Sequence, residues 1–287
     1  MKGRSDDIRF DRIYLLGTGL IGGSLALDLR ANGLAGTIVG SDSDPRSLRM
    51  AIDMGILDEH LQPTRENFRM CDLVILAIPV LNLVEVLGEG FDAGTLVTDV
   101  GSVKTPLVKA YLKSKERGAD YGFVPAHPIA GDERSGPDAA RQGLFRGART
   151  IITPVVENDP DIVPVSAMWR GVGARVEIMD PEYHDSVFAW VSHLPHMAAY
   201  GIVDAVLEKD RSWVSFSGGG LRDFTRVAAS SPRMWADIAV ANRSLLLEAL
   251  SGFRASIDKI YKAVESGDHD RLEDTFRRIA AARREMK

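Results

Sequence analysis

At 287 residues the chain is long enough for two domains, each with a core of its own. Its net charge of −5 excludes the basic surface that would hold nucleic acid or anionic lipid by bulk electrostatics. No uninterrupted apolar run reaches the roughly 18 residues of a membrane span, Met1 to Arg12 is charged and lacks the apolar core of a signal peptide, and the single cysteine, Cys71, has no partner for an internal disulfide; together these predict a protein of the reducing cytoplasm.

The first half alternates strand and helix signals. Arg12 to Leu16 reads as a buried strand that ends at the glycine loop Gly17-Thr18-Gly19-Leu20-Ile21-Gly22. Ser24 to Ala31 reads as a helix stopped by Asn32-Gly33, and Thr37 to Ser41 as the second strand. Asp44-Pro45 caps a helix running to about Met54. Leu73 to Ala77, Leu96 to Asp99, Phe123 to Ala126, Thr150 to Ile152 and Arg175 to Ile178 are short apolar runs of the kind found in parallel strands covered on both faces. This rhythm predicts a Rossmann-type, doubly wound α/β domain over residues 1–179.

The second half, residues 180–287, carries no strand signal and reads as an all-α domain. Pro181 to about Leu207 has apolar residues at helical spacing. A Gly/Ser-rich loop, Ser215 to Gly220, leads to helical stretches near Arg222 to Ala229, Pro232 to Ala263 and Asp268 to the end.

The glycine loop is a short pattern, but a strand precedes it, a helix follows it, and a carboxylate ends the next strand. Gly17 permits the tight turn, Gly19 lets the backbone approach a pyrophosphate, and Gly22 lets the helix pack closely on the sheet with its N-terminus towards the phosphates. Asp42 lies 20 residues after Gly22, where it accepts hydrogen bonds from ribose hydroxyls and repels a 2′-phosphate, so the expected cofactor is NAD. Arg46 is the one nearby cation able to accommodate a phosphate. Ala77 and Pro79, at the end of a later strand, are expected to wall the cofactor cleft.

Ligands of such sheets bind beyond the C-terminal strand ends, where two further polar clusters fall. His127, in Ala126-His-Pro-Ile-Ala-Gly131, is the best candidate for a general base. Ser102, in Asp99-Val-Gly-Ser-Val-Lys104, is placed to hydrogen-bond it and fix its tautomer, or alternatively to cap the following helix. His193 and His196 share a helix face, with Pro195 between them predicting a kink. A metal pair would need further ligands, and no Cys or acidic cluster supplies them, so none is expected. Asp223 and Arg226 form an i, i+3 pair, and Arg226 has the planar fork suited to a carboxylate.

The glycine loop, Asp99 to Lys104, His127 to Gly131, Ser192-His-Leu-Pro-His196 and Arg222-Asp-Phe-Thr-Arg226 occur in an order that resembles the prephenate dehydrogenase family, also called cyclohexadienyl or arogenate dehydrogenases, from Arg12 to about Leu250. The resemblance implies NAD-dependent oxidative decarboxylation of prephenate, or of its amino counterpart arogenate, in tyrosine biosynthesis. It implies that His127 draws the proton from the ring C4 hydroxyl and that Ser102 bridges His127 and the nicotinamide. It further implies that His196 lines the substrate pocket, that Arg226 binds a carboxylate and is gated by an ion pair to Glu133, and that Gly219 and Trp235 line the side-chain end. A homodimer through the helical half is implied as well, in keeping with Trp190, Trp213, Phe216, Trp235, Phe253 and Tyr261 spread along it. With no regulatory domain after the helices, any feedback by tyrosine is expected at or near the active site.

Two features depart from the family's usual form. Asp132 stands where a threonine is common, adding a negative charge that would favour arogenate. The run Gly218-Gly219-Gly220 predicts a mobile loop. Alternatives within reach of the same scaffold are a 4-amino-4-deoxyprephenate dehydrogenase, against which an intact His127 argues, and a β-hydroxyacid dehydrogenase, whose catalytic lysine is missing from Pro181 to Leu207. A non-catalytic NAD-binding sensor is the third, and the complete set of polar groups argues against it.

Overall fold

A computed structural model describes residues 8–286. Most of the charged N-terminal stretch, Met1 to Asp7, lies outside the described residues. Six strands, β1 (Phe10–Leu16), β2 (Ala35–Ser41), β3 (Glu59–His60), β4 (Leu73–Leu76), β5 (Leu96–Asp99) and β6 (Gly122–Val124), form a parallel sheet in the order β3-β2-β1-β4-β5-β6. That is the dinucleotide-fold order, with its reversal between β1 and β4. Crossovers are made by α1 (Leu20–Ala31), α2 (Pro45–Asp53), α3 (Arg65–Arg69), α4 (Val80–Glu89) and α5 (Thr105–Glu116).

The strands sort their side chains by the two-residue period. Ile13 and Leu15 of β1, with Leu73 and Ile75 of β4, enter one core cluster with Leu25, Leu29 and Trp169. The alternate residues Tyr14, Val74 and Leu76 enter a second cluster on the other face, with Leu83, Leu107 and Phe123. Such double burial is why these strands read as continuous apolar runs rather than as alternating ones.

The run expected as one strand over Phe123 to Ala126 is two. Pro125 has no N–H to give a ladder, and the chain leaves the first sheet there. Next, β7 (Ala126–Ile129) pairs antiparallel with β8 (Arg149–Ile152), which pairs parallel with β9 (Arg175–Ile178) after the crossover α6 (Ile162–Gly171). His127 therefore lies inside a strand of a second, three-stranded sheet, opposite Ile151, and not at the end of a strand of the main sheet.

From Pro181 onward the described residues form no strand. Asp180 caps α7 (Pro181–Phe188), accepting from the N–H groups of Glu182 and Tyr183. The long helix expected over Pro181 to Leu207 is interrupted by a π-turn, Ala189–His193, before α8 (Leu194–Lys209), whose first turn takes Pro195. A proline that removes an interior N–H relocates to a helix start, where that N–H has no intrahelical partner to lose. The loop expected over Ser215 to Gly220 is shorter: a 3-10 stretch covers Arg211–Phe216, and Gly219 opens α9 (Gly219–Thr225). Arg226 follows in a second 3-10 turn, Arg226–Ala229.

Helix α10 (Pro232–Ala241) packs on the second core cluster through Trp235 and Ile238. The helix expected over Pro232 to Ala263 breaks at Asn242, and the chain divides into two compact units there, the first ending at Asn242 and the second beginning at Arg243. In the second unit α11 (Arg243–Glu265) is turned by Gly267, at φ +64°, into α12 (His269–Glu285), which Asp268 caps. No helix among the described residues is long and apolar enough to cross a membrane.

Candidate active site

The glycine loop is built for a phosphate-bearing ligand. Gly17 has φ +96°, and a Cβ there would lie 2.3 Å from the carbonyl oxygen of Ala77. A Cβ on Gly22 would lie 2.3 Å from the carbonyl oxygen of Gly17 and 2.8 Å from the methyl of Ala77. Both glycines are therefore required by close packing against the end of β4. Gly19 faces open space, with nothing within 4 Å. It precedes α1, whose first turn carries neither a side-chain cap nor an acidic residue, so its N–H groups are left for an anion. Leu20 is buried, Ile21 half-buried, and Pro79 sits exposed at the start of α4.

Asp42, one residue past β2, holds this loop directly. Its Oδ2 accepts from the backbone N–H and the hydroxyl of buried Thr18, each at 2.8 Å, and its Oδ1 accepts from the N–H of Asp44 at 3.0 Å. The hydroxyl of Thr18 thus points to Asp42. Arg46 is exposed on α2. These groups fit a dinucleotide: two glycines forced by contact, one left open, a free helix N-terminus and a carboxylate at the second strand end.

The base candidate adjoins this cradle. A Cβ on Gly131, two residues past β7, would lie 3.6 Å from Ile21 and 3.8 Å from Leu20 in the first turn of α1. His127 is buried, and its Nδ1 lies 2.9 Å from Nε2 of His184. Nδ1 of His184 lies 2.8 Å from Oδ1 of Asp185. Ser102 is half-buried and makes no hydrogen bond to His127, whose Nδ1 partner is His184 and not the serine expected. Nor does Ser102 cap α5. Asp185 takes that part from across the fold, accepting from the N–H groups of Lys104 and Thr105 at 2.8 Å each.

Lys104 and Asp99 form a fully buried ion pair at 2.5 Å. Nζ of Lys104 also donates to the carbonyl of Ala126, while Asp99 accepts from the N–H groups of Gly101 and Ala126. The pair thereby pins the residue before His127. Burial pushes Lys104 down and Asp99 up, each against the attraction of the other.

Burial drives the imidazole of His127 well below its ordinary range, reinforced by His184, Lys104 and His193. His184 is lowered by burial too, with Asp185 pulling it back. Burial would raise Asp185, but hydrogen bonds from His184, Lys104 and Thr105 bring it below the usual carboxylate range. Both imidazoles are thus neutral beside an ionised carboxylate.

Asn242 ties the far side together. Its side-chain nitrogen donates to the carbonyl of Asp185 at 2.9 Å, which fixes the amide's orientation, and lies 3.2 Å from Nδ1 of His193. Nδ1 of His193 therefore accepts, and its Nε2–H is left without a partner, as is the buried Nε1–H of Trp235. Trp235 also stacks on the ring of His196, centroids 3.6 Å apart, so it belongs to the interior and not to the exposed apolar surface expected of it. His196 donates through Nδ1 to the carbonyl of Ser192, leaving Nε2 as an acceptor.

Arg226 pairs with Glu133 at 2.5 Å and not with Asp223. The 3-10 turn that begins at Arg226 takes it out of α9, where the i, i+3 geometry would have held. Gly219 is exposed at the start of α9. The charge of Asp132 does not stand alone: Arg134 and Arg141 pair with it at 3.1 and 2.9 Å, and hydrogen bonds from Arg134 lead in pulling it down to about 2. His184, Asp185 and Asn242 were not among the residues expected here. Only the helix start Asp180-Pro181, which sets His184 and Asp185 on the inward face of α7, hints at them.

Comparison with known proteins agrees with this arrangement across the chain. Residues 25–178 match the family model described as "Prephenate dehydrogenase, nucleotide-binding domain", and residues 180–278 match "Prephenate dehydrogenase, dimerization domain". Prephenate dehydrogenase of Bacillus subtilis is 34% identical over 91% of this chain and 72% of its own length. Cyclohexadienyl dehydrogenase of Zymomonas mobilis is 33% identical over 97% of each. The crystal structure of prephenate dehydrogenase from A. aeolicus, in complex with hydroxyphenyl propionate and NAD+, superposes with a TM-score of 0.88 at 33% identity, covering 98% of this chain and all of that one.

Proposed function

Because the chain belongs to the prephenate dehydrogenase family and is an NAD-dependent oxidoreductase, we propose that His127 is the base and Arg226 the carboxylate clamp in the oxidative decarboxylation of prephenate or arogenate. The observation that carries this reading is a buried, neutral His127 on a strand whose next loop abuts the phosphate-facing turn of α1.

Gly17, Thr18, Gly19, Leu20, Ile21 and Gly22 hold the dinucleotide with Asp42 at the ribose and Ala77, Pro79 and Ser102 along the cleft. When bound, NAD supplies the hydride acceptor. His127 takes the C4 hydroxyl proton as hydride leaves that carbon, and returns it to the same oxygen once loss of CO₂ from C1 makes the ring aromatic. Aromaticity drives the reaction, so the protein's tasks are orientation, proton handling and exclusion of water. Arg226 releases Glu133 to bind a substrate carboxylate through charge-assisted hydrogen bonds. His196, stacked on Trp235, lines the ring, with Gly219 and Trp235 towards the side-chain end. Two arginines neutralise Asp132, which removes the reason for expecting an arogenate bias.

In this reading residues 1–179 bind the nucleotide, and residues 180–287 bind substrate and form a homodimer. The dimer is supported by the dimerization-domain match and by the exposed Trp213 and Phe216, the latter 84% exposed. The single buried cysteine supports a reducing cytoplasm.

The test is steady-state formation of reduced nicotinamide from NAD+ or NADP+, with prephenate or arogenate in turn. Turnover with NAD+ and at least one of the two acids is the expected result. No reduction with either would refute the reading.

A further inference from the structure

Resting on that reading, we propose that His184 and Asp185 form with His127 a two-imidazole relay, in which His184 selects the basic nitrogen of His127 and holds its proton during the reaction. The geometry is a continuous chain, His127 Nδ1 to His184 Nε2 at 2.9 Å and His184 Nδ1 to Asp185 Oδ1 at 2.8 Å, with all three residues buried.

The tautomers follow by elimination. Oδ1 of Asp185 already accepts from the N–H of Lys104, and an ionised carboxylate can only accept, so Nδ1 of His184 carries hydrogen. Neutral His184 then accepts at Nε2, and Nδ1 of His127 must be the donor. That leaves Nε2 of His127 as the only nitrogen of the pair with a free lone pair. The ring of Phe188, 4.9 Å from that of His127 and 4.5 Å from that of His184, packs beside both imidazoles and keeps their planes fixed.

The step balances without an outside acid. The hydroxyl proton passes to Nε2 of His127 while the O–H bonding pair becomes the second C4–O bond and the C4–H pair leaves as hydride for the nicotinamide. The Nδ1 proton of His127 moves to Nε2 of His184, its bonding pair remaining on Nδ1. Positive charge then rests on His184 against the carboxylate of Asp185, away from the reacting ring. When the C1–CO₂ bond breaks, its electron pair enters the ring, the carbonyl oxygen becomes phenolic, and both protons move back. The groups facing the pair set where the charge goes. Lys104 opposes it on either imidazole and His193 on His127, whereas Asp185 and Asp99 favour it on His184.

His184 touches no substrate and is a positioning residue. Its test uses the full-length enzyme with NAD+ and the acid the wild type accepts, comparing His184→Gln, His184→Ala and Asp185→Asn. A glutamine amide oxygen can still accept from His127 Nδ1–H but cannot take the proton. We expect kcat to fall about 10²-fold in His184→Ala and by less in His184→Gln, with KM and NAD+ affinity within about threefold. In mixtures of H₂O and D₂O the wild-type rate should bow, as two protons move, and that of His184→Gln should be linear. Asp185→Asn, where it folds, should move the acid limb of kcat/KM to lower pH, because the carboxylate that favours the imidazolium is gone. A His184→Gln enzyme with wild-type kcat and a bowed isotope profile would overturn the relay and leave the function intact. A wild type inactive on both acids would overturn both.

Discussion

Nη1 of Arg226 lies 2.5 Å from Oε2 of Glu133, a residue 93 positions earlier, and both side chains keep substantial exposure. Exposed ion pairs contribute only ~0–1 kcal/mol to folding, so this one has little to do with stability. In the proposed mechanism its partner is exchanged for a substrate carboxylate. Arg226→Ala is predicted to raise KM for the acid substrate about 10- to 100-fold, the loss expected for a charge-assisted hydrogen bond, with a smaller fall in kcat. Glu133→Gln should lower KM and leave the thermal midpoint unchanged. A larger effect of Arg226→Ala on kcat than on KM would show that the guanidinium acts mainly in the transition state.

His127→Asn keeps a polar side chain on β7 but removes the proposed base. Turnover is predicted to fall about 10²- to 10⁴-fold, with NAD+ affinity, read by titration of the protein's fluorescence, near the wild-type value. Wild-type turnover in this variant would rule out His127 as the base.

The cradle of the dinucleotide was legible because its determinants are local. Gly17, Gly22 and Asp42 sit within one strand-helix-strand unit, where spacing along the chain is spacing in space. The helical half was legible as helices for the same reason, though its breaks were not. Those at Ala189–His193 and at Asn242 answer to contacts between distant segments. The second sheet was hidden because Pro125 splits one apolar run into two strands with different partners. The partner of His127 was hidden most deeply. His184 is 57 residues away, and no periodicity links a strand residue to a helix residue across a crossover. Ser102 was nearer in sequence and chemically suitable, which is why it drew the role.

Lys104 and Asp99 have no exposed surface, and their pairing fixes Ala126 from both sides. Removing one member leaves the other buried and unpaired, which typically costs about 3–5 kcal/mol. Lys104→Met is therefore predicted to lower the urea midpoint steeply, and adding Asp99→Asn should recover part of the loss. In any folded fraction the acid limb of kcat/KM should move up, because a cation that disfavours protonation of His127 has gone. Additive effects of the two substitutions on stability would refute the coupling.

His193 carries a pH dependence whose sign can be worked out. Burial, ahead of any charge, lowers its imidazole to about 4, against an ordinary 6.5. Between those values the unfolded chain binds a proton at this position and the folded one does not, so stability rises with pH across that window and is complete above about 6.5. The shift corresponds to about 3 kcal/mol at full effect, and the buried His127 adds to it in the same direction. The thermal midpoint is predicted to fall as pH drops from 7 towards 4. His193→Gln, whose amide can still meet Asn242, should flatten that fall, because it offers the unfolded chain no proton to bind. A midpoint that is level over this range, or equally steep in the variant, would mean that His193 is not held neutral by its burial beside Asn242 and Trp235.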